Sequence, residues 1–421
     1  MTQVVKSAWA LLLGMGLLMV GNGMQGTLLG LRGAIEGFST FEMSLVMSAY
    51  FAGFLGGSRV TPDLIRRVGH VRVFAALGSL ISAVLILYPT LADPISWTLG
   101  RVVIGFCFSG VYVTAESWLN NATTSENRGQ ALSLYMIVQM LGIVAAQALL
   151  VLGDPSGFVL FVIPSILVSL AFTPILLSIS PTPPFESTKP MTLRELYTVS
   201  PLGCVGMFLL GGVFAAQFGM AAVFGTEAGL TVSQIGIFVS AFYIGATLLQ
   251  YPIGYISDRM DRRLLILVTA AVGGVAGLGY FAFGGGFPAL LVAAFFIGGM
   301  SNPLYSLLLA YTNDYIEYED MAAASGGLIF INGVGAIFGP IITGQVMEIL
   351  GPSGFFLFIA ILLLGMAGYA AFRMTQRQSL QASEDDYEAT TYTPIMPTAS
   401  PVAVEAAQEV YFEADSEETG T

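Results

Sequence analysis

Residues 232–284 read VSQIGIFVSAFYIGATLLQYPIGYISDRMDRRLLILVTAAVGGVAGLGYFAFG. Two apolar runs, 232–256 and 262–284, flank a short gap that holds Arg259, Arg262 and Arg263. Each run is long enough, as a helix, to cross a hydrocarbon core about 30 Å thick. Membrane insertion keeps Lys and Arg in short cytoplasmic loops, so this gap fixes the direction of both crossings.

The same arrangement recurs along the chain. Of 421 residues, 55% are hydrophobic and 10% charged, with a mean hydropathy of +0.78. A soluble domain carries about 25% charged residues, which excludes a water-soluble fold here. Twelve spans are predicted, at 8–30, 42–61, 71–91, 95–119, 129–152, 157–179, 201–226, 232–256, 262–284, 287–312, 322–348 and 353–374. Their interiors show no sustained period-2 alternation and read as helices rather than barrel strands. Eleven similar runs follow the first, and no small-residue cleavage site marks it as a signal peptide. Cys107 and Cys204 lie inside spans and read as small hydrophobes, with no disulfide or metal site.

With Lys6 placed in the cytoplasm, the basic residues sort into even-numbered gaps. Arg59, Arg66, Arg67 and Arg72 fall at the gap after span 2, Arg128 after span 4, and Lys189 and Arg194 after span 6. Arg373 and Arg377 follow span 12, so both termini are expected inside, in a bacterial inner membrane. Arg32 and Arg101 are the exceptions. The gap after span 10 carries Asp314, Glu317, Glu319 and Asp320 without a base.

A Pro-rich linker at 181–200 divides the spans into six-helix bundles at 1–180 and 201–376. A shift of 193 residues aligns Gly105 with Gly298, Tyr112 with Tyr305, Asn120 with Asn313 and Gly142 with Gly335. Such repeats suit two parallel halves that rock about a central site. Residues 377–421 hold ten of the 27 acidic side chains and read as a disordered, solvated cytoplasmic tail.

Pro252–Arg263 resembles the loop signature of the major facilitator superfamily, G-x-L-a-D-R-x-G-R-[KR], at Gly254, Asp258, Arg259, Arg262 and Arg263, with Asp261 where Gly is usual. The resemblance implies a twelve-helix, all-α transporter fold in which this loop gates the two halves. Plain anchoring of the arginines at the inner surface is the competing reading. The first-half copy, 66–72, has Arg66 where the acidic residue would stand. His70 in that loop reads as a solvated or headgroup residue. Arg101-x-x-x-Gly105 and Glu126–Gly129 fit the same superfamily, and Pro62–Phe74 with Glu116–Asn120 resemble its YcaD-like branch. Gly335–Pro340 resembles an antiporter motif but occupies span 11 rather than span 5, and reads better as close helix packing.

Two ionisable residues lie within a span, Arg101 and Glu116, and charge inside a membrane is costly enough to suggest function. For Arg101 the resemblance to the superfamily implies a cavity-facing base linked to proton coupling or an anionic substrate, and a snorkelling arginine at the outer headgroups is the alternative. Glu116 reads as a proton or cation acceptor, or as a partner of Arg128. Asn22, Gln25, Tyr50, Gln139 and Gln147 supply neutral polar groups in the first half. Gln217, Tyr243, Gln250, Asn302, Tyr305 and Asn332 do so in the second. Each suits a cavity wall or a helix–helix contact.

No P-loop, metal cluster or catalytic triad appears, which excludes ATP-driven transport by this chain and argues against an enzyme. No cofactor or nucleic-acid partner is expected. The expectation is a monomer in the lipid bilayer that moves a small organic solute by alternating access, driven by a proton or solute gradient. Export is set slightly ahead of uptake because the spans are apolar and aromatic-rich. The alternative is a non-transporting sensor or assembly protein of the same fold that signals through its tail.

Overall fold

A computed structural model describes residues 2–121, 125–177, 191–376, 392, 394–404 and 406–407, without the side chains of 2–8, 121, 125–129, 175–177, 318 and 319. The fold is all-helical. In the first half run α1 (Thr2–Ile35), α2 (Thr40–Val68), α3 (His70–Leu87), α4 (Pro94–Asn121), α5 (Ser125–Leu150) and α6 (Val159–Leu177). A short α7 (Leu193–Val199) leads to α8 (Pro201–Ala215), a π-helical turn (Ala216–Met220) and α9 (Ala221–Glu227). Then follow α10 (Val232–Ser257), α11 (Arg262–Phe283), α12 (Phe287–Asn313), α13 (Tyr318–Leu350) and α14 (Gly354–Gln376).

Among the described residues ten helical stretches are long and apolar enough to cross a membrane, α8 to α9 counting as one. The other two expected spans are present as helices. α2 is diluted by Glu42, Arg59, Asp63, Arg66 and Arg67, and the apolar part of α6 is shorter, Val159–Pro174. The architecture is thus consistent with twelve crossings.

Local chemistry sets the helix ends. Ser39 caps α2 in a capping box with Glu42, and Thr192 does the same for α7 with Glu195, each pair satisfying backbone donors that the helix leaves open. α2 runs on through the expected second gap to Val68. Gly69, at φ 85°, turns the chain straight into α3, a conformation that a side chain would strain.

The chain forms two compact units. One comprises Met1–Ser187, Gly229–Gly236 and Thr398–Thr421, the other Thr188–Ala228 and Ile237–Pro397. Within the first, α2 and α4 approach so closely that a Cβ on Gly105 would lie 1.9 Å from the carbonyl oxygen of Tyr50. Within the second, a Cβ on Gly298 would lie 2.2 Å from that of Phe242. The glycines related by 193 residues thus serve the same purpose, letting backbones touch where lipid gives no hydrophobic drive to pack.

The tail departs from its composition. Tyr392, Ile395, Met396, Ala399, Ser400, Ala403, Val404, Ala406 and Ala407 are all buried. The acidic residues lie on either side of a stretch, 389–408, that contains only one charge, Glu405. Averaging over the whole tail hides that apolar segment. Residues 377–391, and the 181–190 half of the linker, lie outside the described residues.

Candidate functional site

In the first unit, Arg101 sits on α4 beside Gly105, where α2 is drawn in against it. Its side chain is buried within the first unit. Nη1 donates to Oε1 of Gln25 at 2.8 Å, and the guanidinium carbon lies 4.6 Å from the centroid of the Tyr50 ring. Gln25 in turn donates to Oδ1 of Asn22 at 3.1 Å, and Asn22 hydrogen-bonds Tyr50. Four residues from three helices therefore converge. Among the described residues no carboxylate lies within 4 Å of Arg101, and its Nε, also buried, has no partner. A desolvated cation held by neutral groups is costly unless an anionic or strongly polar ligand completes its shell.

Glu116 lies four turns further along α4 and is buried. Tyr135 on α5 donates to Oε1 at 3.3 Å, and the backbone N–H of Ser400 donates to Oε2 at 2.8 Å. Among the described residues no cation stands within 4 Å of the carboxylate. Arg128, its expected partner, has a side chain outside the described residues, as do Glu126 and Asn127. His70 proves buried, with its ring 6.2 Å from that of Trp118, because α3 begins on it with no loop to expose it. Gln147 donates from Nε2 to the carbonyl of Gly23 at 3.2 Å and ties α5 to α1, whereas the buried Oε1 of Gln139 has no partner among the described residues.

The second unit has polar pairs and an aromatic wall. Gln217 lies in the π-helical turn, a local widening that often marks functional positions, and donates to Ser301 at 3.0 Å. Asn302 donates to Gln250 at 2.9 Å. Tyr243 stacks on Phe218 at 5.4 Å, Phe218 stacks on Phe214, and Phe214 leans on Tyr305. Asn332 instead donates to the carbonyl of Met207 and joins α13 to α8, a packing contact.

The loop between α10 and α11 is tied to its own half. Arg262 pairs with Asp314 at the end of α12, with both side chains almost wholly buried, and reaches Ser257 Oγ at 3.3 Å and Asp258 at 3.8 Å. Arg263 is held by Asp261 at 2.7 Å, and Arg259 lies 3.7 Å from the centroid of Tyr255. Asp258 accepts the backbone N–H of Tyr392 at 2.8 Å. The Arg262–Asp314 pair accounts for the acidic gap that carries no base. Sequence reasoning missed Tyr135 and Ser301, common side chains whose roles come only from facing helices.

A family model, the Major Facilitator Superfamily, matches residues 11–223 and 202–405. An uncharacterized MFS-type transporter, YcaD, from Escherichia coli O6:K15:H31 is 27% identical over 386 residues, covering 88% of this chain and 98% of that protein. A crystallised variant of the nucleoside transporter NupG superposes with a TM-score of 0.73 at 15% identity, covering 88% of this chain and 99% of the other. A bacterial homologue of the human lysosomal transporter Spinster, solved inward-facing and unoccupied, gives 0.67 at 14% identity and covers 98% of each chain.

The fold is that of a multi-pass membrane transporter rather than an enzyme. The chain belongs to the major facilitator superfamily, and within it is similar to the YcaD-type transporters.

Proposed function

We propose that the protein is a proton-coupled secondary transporter that moves a small organic solute by alternating access, with Arg101 as the solute anchor and Glu116 as the proton carrier. The carrying observation is the uncompensated Arg101. A buried guanidinium that has an acceptor and an aromatic face, but among the described residues no carboxylate within 4 Å and no partner for its Nε, is prepared for a ligand with an acidic or strongly polar group. The phenol faces and amides of Tyr50, Asn22 and Gln25 suit the remainder of such a solute.

Glu116 complements it. Among the described residues its carboxyl accepts from two neutral donors, Tyr135 and the Ser400 N–H, so a change in solvent access changes the cost of the charged form and couples protonation to conformation. Apolar, aromatic-lined helices suit an amphipathic solute leaving the cell, with both termini inside, and the α10–α11 loop acting as a gate. Flux of labelled acidic and polar compounds in proteoliposomes, with and without a proton gradient, tests this. Gradient-dependent flux that is lost in Arg101→Ala is expected, and gradient-independent flux in the wild type contradicts the coupling.

A further inference from the structure

Two acidic side chains, Glu116 on α4 and Asp258 in the α10–α11 loop, accept from backbone N–H groups of the chain's own C-terminal segment. In the second unit, Tyr392 N–H donates to Oδ1 of Asp258 at 2.8 Å, and Ile395 N–H to Ser306 Oγ at 2.9 Å. The Tyr392 ring packs where Gly254 has no side chain, since a Cβ there would come within 2.6 Å of it. In the first unit, Ser400 N–H donates to Glu116 Oε2 at 2.8 Å, and a helical turn over 401–404 buries Ala403 and Val404.

We propose that residues 392–407 form an intramolecular inhibitory ligand, whose docking at Gly254–Asp258 and at Glu116 holds the transporter at rest. The chemistry is that of a peptide. Backbone of the segment offers N–H donors, each docking site supplies an acidic acceptor, and the small or apolar side chains fill the space around them. While Ser400 occupies Glu116, that carboxylate cannot exchange a proton with water or a solute. While Tyr392 occupies Asp258, the gating loop cannot form the contacts that its motif implies. Pro394, Pro397 and Pro401 limit the conformations of the free segment and so reduce the ordering cost of docking.

The inference rests on the transport reading only for its consequence, not for docking. Amide exchange and flux are therefore measured together on the full chain, on a form ending at Gln376, and on Gly254→Leu and Asp258→Asn in lipid nanodiscs and proteoliposomes. In the full chain, amides of Tyr392, Ile395 and Ser400 should exchange at least about tenfold more slowly than in a free peptide of the same residues. Gly254→Leu and Asp258→Asn should each release Tyr392 and Ile395, and truncation should raise flux roughly twofold or more by enlarging the competent population. A synthetic peptide of residues 390–408 should then inhibit the truncated form.

Exchange as fast as the free peptide overturns docking. Protected amides with flux unchanged by truncation overturn inhibition. Protected amides without flux in any form support docking and count against the transport reading instead.

Discussion

The guanidinium of Arg101 lies 4.6 Å from the ring centroid of Tyr50, at the point where Gly105 lets α2 and α4 touch. One glycine thus brings together a cation, an aromatic face and, through Gln25 and Asn22, two amides from α1. The first prediction concerns the cation. Arg101→Ala should weaken solute binding about tenfold or more, read as a smaller ligand-induced rise in melting temperature, because a buried charge-assisted contact contributes about 1.5–3 kcal/mol. Arg101→Lys should recover little, since an ammonium has neither the flat face that lies over Tyr50 nor the fork that reaches Gln25.

Gly105→Ala should destabilise the protein by about 1–3 kcal/mol and weaken solute binding together, because the added Cβ meets the Tyr50 carbonyl. Gly298→Ala places a Cβ against Phe242 in the other half and should cost similar stability, leaving the Arg101 cluster intact. Thermal unfolding in detergent, with and without solute, separates the two.

Asp314→Ala should cost about 3 kcal/mol of stability, since it leaves Arg262 buried with only the more distant Asp258, 3.8 Å away. Denaturation of the variant by heat checks the loss. A double change to Asp314→Leu with Arg262→Met, which removes both charges, should recover most of it.

Asp93 caps α4 at one end, accepting from Ser96 N–H at 2.9 Å and Ile95 N–H at 3.1 Å. Hydrogen bonds from Ser96, first its hydroxyl and then its N–H, hold the carboxyl below the usual aspartate value, with a further N–H from Ile95. The folded pKa is the lower one, so the cap's contribution is complete above the unfolded value and fades as pH falls through the folded value. Acidification below the ordinary carboxylate range should therefore lower the melting temperature of the wild type more than that of Asp93→Asn, which keeps an oxygen acceptor at any pH.

The fold was legible because its signals are redundant. Twelve apolar runs, basic gaps on alternate sides and a superfamily loop at Pro252–Arg263 agree with one another. Arg101 and Glu116 stood out because a charge in an apolar run is expensive wherever the helix turns. What those charges touch was not legible. Gln25 and Tyr50 meet Arg101 from separate helices, and the same polar inventory offered Asn332, which only fastens α13 to α8. His70 looked like a loop residue because nothing in the local pattern revealed that Gly69 alone makes the turn. The buried stretch within the tail was not legible because acidic flanks dominate the tail's average while a nearly uncharged segment lies between them.

The most direct test of the transport account is flux through Glu116→Gln beside wild type, in proteoliposomes with an imposed proton gradient. Wild type should accumulate or expel solute against its gradient, whereas Glu116→Gln should bind solute and exchange it across the membrane without responding to the proton gradient. Gradient-driven transport undiminished in Glu116→Gln would contradict the account.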